Sequence, residues 1–85
     1  MLDRADTASS IARIVQRLFA KRGIERPIGN DEDLGAAGLS SLDTVNLMLA
    51  VEAEFDIKIP ERDMTPGNFR TIARIEALLR ALREE

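Results

Sequence analysis

Ile11, Ile14, Val15, Leu18 and Phe19 recur at the i, i+3, i+4, i+7 and i+8 spacing of one buried helical face. Ile72, Ile75, Leu78, Leu79 and Leu82 repeat that pattern near the other end of the sequence. Between them, Thr44, Leu47, Met48, Val51 and Phe55 gather on one broad face of a third helical stretch. Three such faces, with no second strand for any short alternating run to pair with, confine the chain to a small all-α bundle. The first helix is expected from about Thr7 to Arg22, with Gly23 as its stop. The second runs from Ser41 to about Phe55, and Thr71 caps the last.

The connections are equally informative. Residues 23–39 hold Gly23, Pro27, Gly29, Asn30, Gly35 and Gly38, but also Ile24, Ile28, Leu34 and Leu39, so this long first loop is expected to pack over the core. Asp56-Ile57-Lys58-Ile59-Pro60 alternates but has no partner strand; it reads as an extended link that inserts Ile57 or Ile59 into the core. Thr65-Pro66 has the form of a cap followed by proline at the first helical position, and Gly67 limits the helix there to a turn or two. The expected architecture is one domain over residues 1–85, three main helices and one short one. Its core of about fifteen apolar side chains implies modest stability.

The sequence contains no cysteine, histidine, tryptophan or tyrosine. Thiol and imidazole nucleophiles, soft metal ligands and disulfides are thereby excluded, and a serine hydrolase lacks its base. Met1 to Ser10 carry charges at Asp3, Arg4 and Asp6 and lack a hydrophobic signal core, and no apolar run approaches spanning length, so a soluble, cytoplasmic protein is expected. Charge is segregated: six basic against three acidic residues over 1–30, two against nine over 31–63, and four against three over 64–85. The acidic middle would repel nucleic acid and steer a basic partner surface, or simply solvate the fold. Arg70, Arg74, Arg80 and Arg83 approach one side of the last helix, but Glu76, Glu84 and Glu85 dilute them and no aromatic residue accompanies them, so nucleic-acid binding is not expected. Asp31-Glu32-Asp33 reads as a solvated loop or cap, since successive carboxylates form no ligand cage.

Gly38-Leu39-Ser40-Ser41-Leu42-Asp43 lies where the glycine-bearing loop ends and the second helix begins. A hydroxyl at a helix N-terminus can be a cap. It can also carry a phosphodiester, which the unpaired N–H groups and the macrodipole favour there. On the second helix, Leu42, Val45 and Leu49 form a stripe roughly opposite the core face, beside Asp43, Asn46, Glu52 and Glu54. Either Ile24, Ile28 or Leu39 covers that stripe, or it remains available to partners as an apolar strip with acidic flanks.

Leu34-x-x-x-Gly38-Leu39-Ser40-Ser41-Leu42, then Asp43-Thr44-Val45-Asn46-Leu47, then Glu52-x-Glu54-Phe55-Asp56-Ile57-Lys58-Ile59-Pro60 resembles the acyl carrier and peptidyl carrier protein family. The likeness is close from Leu34 to Pro60, with compatible helices on either side. It implies a four-helix carrier bundle in which Ser41 receives 4′-phosphopantetheine from coenzyme A through a phosphopantetheinyl transferase. The arm would hold an acyl or aminoacyl group as a thioester and show it to a loading ligase and to downstream acyl-transfer enzymes, so the domain itself need not be an enzyme. The resemblance makes Leu42, Asp43, Val45, Leu49 and Glu52 the partner-docking residues of a cytoplasmic monomer with no metal site, no nucleic acid and no membrane.

Two departures point within the family. The signature is usually Asp-Ser-Leu, and Ser40 stands where aspartate is expected, which withholds a charge from the magnesium site of the transferase. Asn46 and Ala53 occupy positions that are often acidic in fatty-acid carriers. Together with Ala36-Ala37, Leu47-Met48-Leu49 and Asn68-Phe69-Arg70-Thr71, these resemble free-standing carriers of dedicated pathways, among them aminoacyl carriers charged by synthetase-like amino acid ligases. A housekeeping fatty-acid carrier is the alternative within the family. An unmodified helical interaction module, with Ser41 merely a cap residue, is the alternative outside it.

Overall fold

The computed structural model describes the backbone of residues 4–84 and the side chains of residues 7–83. The charges at Asp3, Arg4, Asp6, Glu84 and Glu85, which entered the sequence reading, lie outside the described side chains. Among the described residues four α-helices follow one another: α1 at Arg4–Lys21, α2 at Leu34–Ala37, α3 at Ser41–Phe55 and α4 at Ile72–Glu84. Short 3₁₀ turns at Glu61–Asp63 and Gly67–Phe69 bridge α3 and α4. No strand occurs among the described residues.

Helix α1 packs against both α3 and α4, so its apolar face meets both of theirs in one core. Ile11, Val15, Phe19, Leu47, Val51 and Ile75 are fully buried, as the three periodicities require. Leu18, Phe55 and Leu82 are half-buried at its margin. Ile59 enters the core from the extended link while Ile57 packs at its edge. Glu52 of α3 fixes this link, because its Oε2 accepts the Ile59 N–H at 2.7 Å. At the start of α4, Thr71 Oγ1 accepts the Arg74 N–H at 3.0 Å, the expected cap.

One short helix forms where none was expected. It lies inside the long first loop, where Asp33 Oδ1 accepts the Ala36 N–H at 2.9 Å and starts α2. Thr65-Pro66 opens a 3₁₀ turn at Gly67–Phe69, within the turn or two expected there, which buries Phe69. The reason is tertiary. The Leu34 N–H donates to the Arg70 carbonyl at 2.9 Å, the Ala73 N–H donates to the Asn30 carbonyl at 3.0 Å, and Arg70 Nε lies 3.6 Å from Asp33 Oδ2. The loop is thus clamped to the start of α4, and Leu34 is driven into the core. Arg26 ties the earlier part of the loop to Glu32, whose Oε1 also accepts the Gly29 N–H at 3.2 Å. Of the acidic run, Glu32 and Asp33 therefore serve local structure.

Candidate functional site

The site is the junction of the loop with α3. Gly38, at φ +136°, turns the chain out of α2, and its N–H bonds back to the Leu34 and Gly35 carbonyls. Leu39 then drops into the core and leaves Ser40 extended as the N-cap of α3. Ser40 Oγ accepts the Asp43 N–H at 3.1 Å while the Ser40 N–H donates to Asp43 Oδ2 at 3.0 Å, a reciprocal capping box. The Thr44 N–H donates to the Ser40 carbonyl at 3.0 Å and begins the helical ladder. A first helical turn leaves its leading N–H groups without intrahelical partners. The box takes that of Asp43, so those of Ser41 and Leu42 remain beside the Ser41 hydroxyl.

The end of α1 completes the cap. Arg22 Nη2 lies 2.6 Å from Asp43 Oδ2 and donates to Ser40 Oγ at 3.1 Å. This guanidinium, followed by the Ser40 N–H, holds the Asp43 carboxyl at about 2, below its ordinary 3.8, against the opposing effect of desolvation. With two donors on its oxygen, Ser40 is spent on structure. Ser41, one residue on, is exposed as the first residue of α3.

Leu42, Val45 and Leu49 are 68%, 47% and 55% exposed, so no loop residue covers this stripe. Two of the carboxylates expected on its acidic flank are engaged within the fold. Asp43, expected among the docking residues, is only 8% exposed because its carboxylate turns into the cap to meet Arg22 and Ser40. Glu52, also expected there, is half-buried and directs Oε2 at the Ile59 N–H. Glu54 remains exposed. Sequence reasoning missed Arg22: it comes from 18 residues upstream, and no local pattern links it to the serine pair. The basic residues in and just before α4 are likewise partly committed, since Arg70 approaches Asp33 and the Arg83 guanidinium lies 5.9 Å from the centroid of the Phe55 ring.

An exposed hydroxyl on the first residue of a 15-residue helix, with N–H groups beside it and a cation on the adjoining cap, is chemically suited to a phosphodiester. Residues 9–79 match the family model described as the phosphopantetheine attachment site. The chain belongs to this phosphopantetheine-binding carrier family. Relatives of the carrier include aminoacyl carrier protein 1 of Bradyrhizobium diazoefficiens, 35% identical over 74 residues that span 87% of this chain and 82% of that protein. The aminoacyl carrier protein of Agrobacterium fabrum is 45% identical over 49 residues, 58% of this chain and 59% of that one. Among solved structures, the carrier superposes with a TM-score of 0.76 on a chain from Bradyrhizobium japonicum glycine:[carrier protein] ligase complexed with glycylated carrier protein. The two are 35% identical, and the match covers 85% of this carrier and 96% of that chain. A complex of the same ligase with its cognate carrier protein and an analogue of glycyl adenylate gives a TM-score of 0.79 at 33% identity, covering 88% and 96%. The cofactor of the family is 4′-phosphopantetheine, and the all-α carrier fold is shared. Among the described residues, no helix is long and apolar enough to cross a membrane.

Proposed function

We propose that the chain is an aminoacyl carrier, one domain over residues 1–85, bearing 4′-phosphopantetheine on Ser41 Oγ and charged by a synthetase-like amino acid:carrier protein ligase. The observation that carries the assignment is the division of labour in the serine pair. Ser40 Oγ accepts from Arg22 and from the Asp43 N–H, whereas Ser41 is exposed at the helix start. When bound, the arm supplies the thiol that forms the thioester. The protein supplies presentation: a capped, rigid helix end that displays the attachment point beside the Leu42, Val45 and Leu49 strip. The absence of cysteine and histidine agrees with a role as substrate of other enzymes. The relatives' association with a glycine ligase supports an aminoacyl cargo over a fatty-acid one.

In this reading, a phosphopantetheinyl transferase joins Ser41 Oγ to the phosphorus that bears the pantetheine in coenzyme A. The pyrophosphate bond to the nucleotide breaks, the nucleotide leaves with the electron pair, and the serine proton passes to solvent or to a base of the transferase. The exposed strip then receives the loading ligase and downstream acyl-transfer enzymes. The carrier works as a cytoplasmic monomer. Incubation with coenzyme A, magnesium and a broad-specificity transferase, followed by intact mass measurement, tests the assignment. Wild type and Ser40→Ala should each gain one phosphopantetheine group and Ser41→Ala none. No gain on wild type would leave Ser41 as the unmodified first residue of α3 in a helical interaction module.

A further inference from the structure

Arg22 is bound to the cap in an incomplete way. Both of its contacts there, to Asp43 Oδ2 at 2.6 Å and to Ser40 Oγ at 3.1 Å, are made by Nη2. A guanidinium is a planar fork whose remaining N–H donors sit on Nε and Nη1. The side chain is 45% exposed, so the guanidinium is held on the cap without being enclosed by it. Its anchors are the residue before Ser41 and the residue two after it, which brackets the attachment point.

Modification changes the charge at this junction. Before it, the Asp43 carboxylate and the Arg22 guanidinium offset one another. A phosphodiester adds a permanent anion one residue from the cap and two from the Asp43 carboxylate. The dipole of α3 and the N–H groups of Ser41 and Leu42 favour that anion, but the nearby carboxylate opposes it. A cation anchored on the same cap resolves the conflict, because arginine can hold a carboxylate by one nitrogen and a phosphate oxygen by another. Serine at position 40 makes this possible. It accepts from Arg22 without adding a second carboxylate to compete for the guanidinium.

We propose that Arg22 is a positioning residue for the modified carrier: anchored through Nη2 on Asp43 and Ser40, it donates from its remaining nitrogens to the phosphodiester on Ser41 and fixes the direction in which the arm leaves the helix. The proposal rests on attachment at Ser41, and the experiment separates the two. Wild type, Arg22→Gln and Arg22→Lys are prepared unmodified, then converted with coenzyme A, magnesium and a transferase, and conversion is verified by intact mass. Melting temperature is measured before and after conversion, and the ³¹P resonance of each converted protein is recorded at low and high salt.

Loss of the cap contact should lower the melting temperature of Arg22→Gln in both forms, and by about 3 °C more in the converted form. Arg22→Lys should fall between Arg22→Gln and wild type on that difference, since a point charge keeps the attraction but not the fork. The ³¹P shift should differ between converted wild type and Arg22→Gln at low salt, and the difference should shrink at high salt. Equal thermal losses in the two forms, with identical ³¹P shifts, would reduce Arg22 to a structural cap and overturn the proposal. Should Arg22→Gln not fold, the same comparison with Arg22→Lys decides by the same criteria. Failure of wild type to gain mass overturns the Ser41 attachment itself, and with it the proposal.

Discussion

Gly38 and Ile24 approach so closely that a β-carbon on Gly38 would fall 2.7 Å from Ile24 Cδ1. The glycine also holds φ at +136°, which side chains rarely adopt. Backbone strain and contact act together at the residue that ends α2 and delivers Leu39 and Ser40 to the cap. Gly38→Ala should lose about 2 kcal/mol of stability, measured by urea denaturation monitored by circular dichroism. An unchanged midpoint would mean that the turn relaxes freely.

The ion pair beneath the cap gives the acid limb of the stability curve a definite origin. Asp43 is held at about 2 by the Arg22 guanidinium and then by the Ser40 N–H, against 3.8 ordinarily. The unfolded chain therefore binds this proton at a higher pH than the folded one, so stability falls as pH falls. The contribution is complete above about pH 4 and disappears between about pH 4 and pH 2. Asp43→Asn should be less stable than wild type at pH 7, and the gap should narrow across that window. Thermal melts at successive pH values read this directly; a constant gap from pH 7 to pH 2 would assign the stabilisation elsewhere.

Much of this arrangement is legible in the sequence, and the boundary of legibility has a physical cause. Helix α3 begins at Ser41 and ends at Phe55 as its capping serine and apolar spacing require, because both signals act within a few residues. Helix α2 is not legible. Leu34-Gly35-Ala36-Ala37 has little intrinsic tendency to nucleate, and it forms because Asp33 caps it and Arg70 and Ala73 clamp the loop from afar. The outer strip on α3 follows from periodicity alone, but the direction of its acids does not. Asp43 and Glu52 turn away to satisfy a guanidinium and a backbone N–H that sequence proximity does not reveal. The same limit applies to Arg22: the serine site was visible, its cation was not.

Asp56 ends α3 with φ 52° and ψ 51°, a left-handed conformation that glycine adopts at no steric cost. Its carboxylate also stands at the negative end of the helix dipole. Asp56→Gly should therefore gain about 0.5 kcal/mol despite the added freedom of the unfolded chain, and Asp56→Val should lose about 1 kcal/mol or more. Paired urea curves test both. A loss in the glycine variant would show that the aspartate side chain stabilises the turn by more than its backbone strain costs.

Leu49 tests the strip without touching the attachment point. It is 55% exposed, two turns along α3 from Ser41, and lies outside the buried core. Leu49→Asp should leave helicity unchanged and stability within about 0.5 kcal/mol of wild type. Transfer of phosphopantetheine to Ser41 should also proceed. Charging is another matter, because a carboxylate in the middle of an apolar contact must be desolvated when a partner docks. Loading of the converted carrier by an amino acid:carrier protein ligase, followed by mass with ATP and glycine, should fall at least about tenfold, equivalent to about 1.4 kcal/mol of lost interaction. Loading at the wild-type rate would remove Leu49 from the docking surface. Loss of helicity would instead mean that the strip supports α3, which its exposure argues against.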